Sequence, residues 1–273
     1  MTGEPMQSLR GQAAVVTGST SGIGQAIAVM LAKAGADVML NGFGDMAEIE
    51  KFQQELAEDA GVKVAYSNAD MSKPEEIRDM IKETQAQFGR LDILVNNAGI
   101  QHVETVESFP DEKWDQIIAI NMSSAFHTTK AAAEHMKAQG AGRIVNIASV
   151  HGLTASPYKT AYITAKHGVI GLTKASSLDL AEHNITVNAI CPGYVKTPLV
   201  EKQIPGQAKE HGMSEAEVVD KVMLKNHAIK EFVSVEDVAA MTVYLCGDFA
   251  KTITGSVFTL DGGWMAGTPA VKS

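Results

Sequence analysis

Cysteine is nearly absent: Cys191 and Cys246 are the two in 273 residues, and neither stands at CxxC or Cys/His ligand spacing. A disulfide framework and a structural zinc site are therefore excluded, no metal is expected, and both thiols read as buried apolar fillers. Long hydrophobic runs are missing as well. The longest, around Ala13–Val16 and Asp92–Val95, fall far short of the roughly 18 residues a membrane span needs. Basic excess is lacking too: 23 Lys and Arg face 32 Asp and Glu, a net charge of −9, which disfavours phosphate backbones and anionic lipid. No nucleic-acid or membrane partner is expected. Residues 1–10 show no basic stretch leading into an apolar one, so no secretory signal is read and the cytoplasm is the expected location. No Ser/Pro/Gly-rich linker, repeat or low-complexity tract divides the chain, so residues 1–273 read as one domain.

What is present is an alternation. Apolar, β-branched runs recur at Ala13–Thr17, Asp37–Leu40, Lys63–Tyr66, Ile93–Asn96, Arg143–Ala148, Thr186–Ile190 and Val257–Leu260, with helically spaced apolar residues between them. Strands that are apolar throughout are covered on both faces. The expected fold is α/β, a doubly wound (Rossmann) parallel sheet of seven strands with ligands at the carboxyl ends. The rhythm breaks between the sixth and seventh strands, where residues 198–234 form an extra, partly helical insertion. It reads as a substrate lid or as a surface excursion.

Directly after the first strand stands Thr17-Gly18-Ser19-Thr20-Ser21-Gly22-Ile23-Gly24, opening a helix. Glycines there admit close approach of an anion to free N–H groups at the positive end of the helix dipole. The spacing is GxxxGxG rather than GxGxxG, and tight packing alone is the other reading. The second strand ends in Asn41-Gly42-Phe43-Gly44-Asp45, without the usual ribose-binding acid unless Asp45 serves, and without a cation for a 2′-phosphate. NAD is thus favoured over NADP. Asp70, past the third strand, is placed to accept from an adenine amine or to cap the next helix.

In Ser156–Lys166, Ser156 reads as an N-cap and Pro157 as the first helical residue, which sets Lys159, Tyr162 and Lys166 on one face. A phenol ordinarily titrates at about 10, too high for a general base at neutral pH, and a neighbouring ammonium lowers it. Lys166 is expected to do this for Tyr162. Ser149, at the end of the fifth strand, could hold a substrate oxygen beside the phenol, or serve only as a cap.

Thr17-Gly18-x3-Gly22-x-Gly24, Asn96-Asn97-Ala98-Gly99, Asn121, Ser149, Tyr162-x3-Lys166 and Pro192-Gly193-x3-Thr197 together resemble the short-chain dehydrogenases/reductases, over nearly the whole chain. The resemblance implies a tetrad of Asn121, Ser149, Tyr162 and Lys166, with Asn121 holding a water that relays protons through Lys166. It implies that Gly18, Thr20, Ser21, Gly22, Ile23, Gly24, Phe43, Asp70, Asn97, Ala98, Gly99, Tyr162, Lys166, Pro192, Val195 and Thr197 contact the cofactor. Within the family, Gln101, His151, Lys159, Tyr162, Gln203 and Trp264 resemble the members that oxidise the small hydroxy acid D-3-hydroxybutyrate with NAD. Gln101, Ser149, His151, Lys159, Tyr162, Gln203 and Trp264 would then bind that substrate, and a homotetramer would be the assembly. Singly, His151, Gln101 and Gln203 also read as solvated polar residues and Trp264 as a packing residue. The competing activities are reduction of an acyl thioester or sugar on the same scaffold, and a non-catalytic dinucleotide sensor.

Overall fold

The computed structural model describes residues 8–268, without the side chains of Pro198, Leu199, Gln203 and Glu210. Seven strands form one sheet: β1 (Ala13–Val16), β2 (Asp37–Asn41), β3 (Val64–Ser67), β4 (Ile93–Asn96), β5 (Gly142–Ile147), β6 (Ile185–Pro192) and β7 (Val257–Leu260). Their order is β3-β2-β1-β4-β5-β6-β7, and every neighbouring pair is parallel. All seven expected strands are present, with boundaries shifted by no more than a residue or two.

Among the described residues nine α-helices accompany the sheet: α1 (Gly22–Lys33), α2 (Met46–Ala60), α3 (Pro74–Phe88), α4 (Asp111–Ile118), α5 (Ser124–Gln139), α6 (Thr160–Leu180), α7 (Pro198–His211), α8 (Glu215–Val218) and α9 (Val235–Cys246). The pleat sends successive side chains to opposite faces, and each face has its own core. Ala14, Val16, Val38 and Leu40 pack against Ile27 and Leu31 of α1, Leu56 of α2 and Val238 and Leu245 of α9. Val15, Met39, Leu94 and Ile144 pack against Ile77 and Ile81 of α3 and Ala132 and Met136 of α5. Burying such a Leu or Ile contributes about 1.5–3 kcal/mol each, so both helical layers are held by the strands' uninterrupted apolar sequence.

β1 and β4 lie side by side although β2 and β3 intervene in the chain, so the winding reverses between them. The loops after β1 and β4 diverge at that point and leave a crevice at the carboxyl edge of the sheet. The loops after β5 and β6 end on the same edge. Within the core, Asn96 Nδ2 donates to Asn146 Oδ1 at 2.8 Å, Asn146 Nδ2 to Thr173 Oγ1 at 2.8 Å, and Thr128 Oγ1 to Asn96 Oδ1 at 2.6 Å. This buried network ties β4 and β5 to α5 and α6 beneath the crevice.

The insertion before β7 is a helical unit with its own small core of Ala208, Val218 and Met223, packed by Val200, Ile204 and Phe232. Its stem is closed by an isolated parallel bridge between Val195 and Val233, with Lys196 N–H donating to the Val233 carbonyl at 2.9 Å. The insertion is therefore anchored at its root directly above the carboxyl end of β6. Among the described residues no helix is long and apolar enough to cross a membrane.

Candidate active site

The glycine-rich turn is held from two sides. Thr17 Oγ1 accepts from the N–H groups of Asn97 and Ala98, both at 3.0 Å, and Asn97 Nδ2 donates to the carbonyls of Thr17 and Gly18, both at 3.0 Å. Gly18 sits at φ 64°, and a Cβ there would lie 2.9 Å from Ala98 Cα, so a side chain would push the two loops apart. At Gly24 a Cβ would collide with the Gly18 carbonyl, which makes that glycine a requirement of the turn's closure.

Past the turn, α1 begins with Ser21 as N-cap, whose side chain caps nothing, and no acidic residue stands in the first turn. The N–H groups there are left for an anion, as a dinucleotide's pyrophosphate requires. Gly22 leaves open space with only Thr197 Cγ2 nearby, 3.7 Å from where a Cβ would sit. Thr197 itself caps α7 by accepting from Val200 N–H at 3.3 Å, and Val195 is buried in the stem bridge. The loops bearing Pro192, Val195 and Thr197 thus rise beside the turn, and this cradle fits a dinucleotide.

At the tip of β2, Asn41 is buried and fully engaged. Its Oδ1 accepts from Gly18 N–H at 3.3 Å and its Nδ2 donates to the Ser67 and Ala69 carbonyls at 3.2 and 2.9 Å. The position where an acid usually stands is used here to tie three loops together. Asp45 caps α2, its Oδ1 accepting from Ala47 and Glu48 N–H at 2.9 and 3.1 Å. Phe43 is 67% exposed beside Thr20, whose hydroxyl donates to the Phe43 carbonyl at 3.0 Å. Asp70 holds a turn at Ser72, whose N–H and hydroxyl donate to it at 2.8 and 2.7 Å, and these bonds keep its carboxyl below the ordinary range. Lys73, rather than Asp70, is the N-cap of α3.

Asn121 lies in a π-helical step, residues Ala119–Ser123, between α4 and α5. The extra residue turns its side chain inward, where Oδ1 accepts from Ile100 N–H and Nδ2 donates to the Ile100 carbonyl, both at 2.8 Å. Asn121 therefore clamps the loop that carries Gly99 and Gln101. Gln101 is exposed, and no hydrogen bond among the described residues ties its side chain to the site.

The start of α6 differs from the sequence expectation. The helix begins at Thr160 with Lys159 as N-cap, and Tyr158 has φ 66°, a left-handed conformation that ends any helical continuation back to Pro157. Ser156 is not a cap; its Oγ lies 2.8 Å from Nε2 of His151 and fixes that ring. Tyr162 and Lys166 remain one turn apart, with Lys166 Nζ 5.6 Å from the phenol ring centroid and donating to the Ile147 carbonyl at 2.8 Å. Lys159, although outside the helix, reaches the same cluster with Nζ 5.8 Å from the centroid of Tyr194.

Electrostatics here depart from expectation on one point. Burial pushes the Tyr162 phenol above its ordinary pKa, and the neighbouring Ser149 hydroxyl opposes that. Lys166 does not bring the phenol below its ordinary value. Burial drops the ammonium's own pKa to about 8, and its hydrogen bond is directed at a carbonyl rather than at the phenol. His151 is depressed to about 4, by burial first and then by the charge of Lys159, so at neutral pH it is an uncharged hydrogen-bonding ring. The fold thus favours neutral His151. Stability from this is complete above the unfolded value near 6.5 and declines as pH falls toward 4. Between about pH 7 and about pH 4.5 the wild type should lose roughly 2 to 3 kcal/mol more than His151→Gln, measured by urea melts at both pH values. Equal losses would contradict the burial of an uncharged imidazole.

An aromatic wall completes the pocket. His151 lies edge-on to Tyr162, centroids 6.2 Å apart, and to Trp264 at 5.5 Å. Trp264 stacks on Tyr194 at 6.2 Å with 14° between planes. Of the expected substrate residues, Ser149, His151, Lys159, Tyr162 and Trp264 are thus brought together, and the side chain of Gln203, in α7, lies outside the described residues. Tyr194 and His227 belong to this wall and carry no signal of it in the sequence beyond Tyr194 following Pro192-Gly193. With a phenol, a hydroxyl, an ammonium and a neutral imidazole facing an apolar ring stack beside an anion cradle, the site can move a proton from a bound anionic alcohol.

The chain belongs to the short-chain dehydrogenase family, whose sequence pattern matches residues 12–208. It is 56% identical over 253 residues to D-beta-hydroxybutyrate dehydrogenase of Rhizobium meliloti, covering 93% of this chain and 98% of that one. Similarity to D-beta-hydroxybutyrate dehydrogenase of Cupriavidus necator is 48% identity over 262 residues, 94% and 99% of the two chains. Among solved structures, a short-chain alcohol dehydrogenase from Sinorhizobium meliloti 1021 superposes with a TM-score of 0.86 at 32% identity, covering 96% of this chain and 99% of that one.

Proposed function

We propose that this protein oxidises D-3-hydroxybutyrate to acetoacetate, reversibly, with NAD as the partner in hydride transfer. The observation that carries this reading is the meeting of Lys159, neutral His151 and the Tyr162–Ser149 pair on one aromatic wall. Such a set takes a short carboxylate at one end and its hydroxyl at the other. The names of the two relatives above, similar along nearly their whole length, support the same substrate.

The cofactor would be held by the Gly18–Gly24 turn and the start of α1, by Asn97–Gly99, Phe43 and Asp70, and by Pro192, Val195 and Thr197. Once bound it would supply the hydride acceptor. Tyr162 accepts the substrate hydroxyl proton, Ser149 holds that oxygen, and Lys166 would hold the cofactor ribose and pass protons toward a water at Asn121. Lys159 anchors the carboxylate through a charge-assisted bond, strengthened because both charges are partly removed from water. His151, fixed by Ser156, adds a neutral donor. Gln203 arrives from the insertion as it closes.

No Lys or Arg stands in Ser19–Ser21 or in Asn41–Asp45, the two segments that form the ribose corner. With D-3-hydroxybutyrate, kcat/KM for NAD should exceed that for NADP by at least about 100-fold, as expected when a phosphate dianion meets no countercharge. Following formation of the reduced cofactor with D- and L-3-hydroxybutyrate, and its consumption with acetoacetyl thioester, tests the whole reading. Turnover confined to the thioester, or a preference for NADP, would overturn it.

A further inference from the structure

His227 lies where the insertion rejoins the body, and its ring is completely buried. It is wedged between two glycines: a Cβ on Gly193 would come within 2.8 Å of Nε2, and one on Gly262 within 2.8 Å of Nδ1. The residues beside it are strapped to the C-terminal turn, Ala228 and Ile229 N–H donating to the Gly262 carbonyl at 2.7 and 2.9 Å. That turn is stiff, since the Asp261 carboxylate accepts from Gly263 N–H at 3.0 Å and Met265 N–H at 2.8 Å on either side of Trp264. Three segments distant in sequence therefore meet on one imidazole: the end of β6, the exit of the insertion, and the turn bearing Trp264.

The ring contacts both members of the stacked pair, with centroids 6.4 Å from Tyr194 and 5.7 Å from Trp264. Its Nε2 accepts from the Tyr194 backbone N–H at 3.4 Å, which assigns the proton to Nδ1, and the ring N–H is met only loosely by the Glu231 backbone, short of full hydrogen-bond geometry. Burying so weakly paired a donor is unfavourable, and an aliphatic side chain would fill the volume without that penalty. What the aliphatic residue would lack is the acceptor that sets the Tyr194 backbone. Burial also keeps the imidazole below its ordinary pKa, so it remains an acceptor at neutral pH.

We propose that His227 is a positioning residue for the hydroxy acid: by fixing Tyr194 and Trp264 as a stacked pair it seats the Lys159 ammonium that meets the carboxylate. The proposal rests on the reading of Lys159 as carboxylate anchor. It assigns the root of the insertion a part in affinity that is separate from closure of its tip.

The test compares His227→Leu, which fills the space without an acceptor, with His227→Gln, whose Oε1 can take the place of Nε2. In a Trp114→Phe background, emission reports Trp264 alone, since the chain has 2 Trp. His227→Leu should raise KM for D-3-hydroxybutyrate by about 5-fold or more while changing kcat and KM for NAD by less than about 2-fold, as loss of one buried hydrogen bond allows. Acrylamide quenching of Trp264 should increase in parallel, and His227→Gln should restore both readouts. If His227→Leu does not fold, His227→Asn, too short to reach the Tyr194 N–H, should show the same rise. Unchanged hydroxybutyrate KM in Leu or Asn, or an equal rise for NAD, overturns the proposal. Lys159→Ala assayed alongside separates the two ideas: if it weakens hydroxybutyrate binding while the His227 variants do not, the positioning role fails and the anchor stands; if it too has no effect, the anchor fails.

Discussion

Tyr162→Phe is expected to lower kcat for 3-hydroxybutyrate oxidation by at least about 100-fold while leaving NAD affinity within about 2-fold, which is the range for losing a general base without disturbing binding. The ring would stay in place, because it packs edge-on to His151 and lies one helical turn from Lys166. Only the hydroxyl goes, and with it the group that Ser149 neighbours. Burial makes this phenol a weaker acid and the Ser149 hydroxyl opposes that, so the ionised form is reached only as pH rises. Activity should accordingly rise with pH toward a plateau in the wild type and lose that dependence in Tyr162→Phe. Stopped-flow and steady-state rates across the pH range check both statements. A variant within a few-fold of the wild type would remove Tyr162 from the chemistry.

Lys159→Ala is expected to raise KM for 3-hydroxybutyrate by about 100-fold, the range for truncating one partner of a largely desolvated ion pair, with KM for NAD nearly unchanged. The ammonium is partly removed from water, and burial holds its pKa below the ordinary lysine value. It projects over the Tyr194 ring rather than into solvent. Lys159→Arg should recover little, since a planar guanidinium cannot take the position of a compact ammonium over that ring. Equal effects on both substrates would mean that Lys159 supports the fold of the α6 entrance and does not meet the carboxylate.

The sheet was legible because strands covered on both faces have nowhere to place polar residues. Val15 and Val16 face different cores, and both must be apolar. The glycine turn and the Tyr162–Lys166 pair were legible because their geometry is local, set by one turn and one helix. Sequence reasoning failed where the decisive contact is tertiary. Ser156-Pro157 carries the signal of a helix start, yet Ser156 is occupied by His151 and the left-handed Tyr158 delays the helix to Thr160. The sign of the Tyr162 shift depends on burial, which spacing along a helix cannot report. His227 and Tyr194 gave no signal because their partners, Gly193 at the end of β6 and Gly262 and Trp264 in the C-terminal turn, come from two distant parts of the chain.

The most direct measurement of the central claim is the ratio of kcat/KM for D-3-hydroxybutyrate to that for its uncharged counterpart, 2-butanol, in the wild type and in Lys159→Ala. If one ammonium on the aromatic wall recognises the carboxylate while Tyr162 takes the proton, the wild type should favour the acid by at least about 100-fold and the variant should lose most of that preference. A preference that survives the loss of Lys159 would contradict the account.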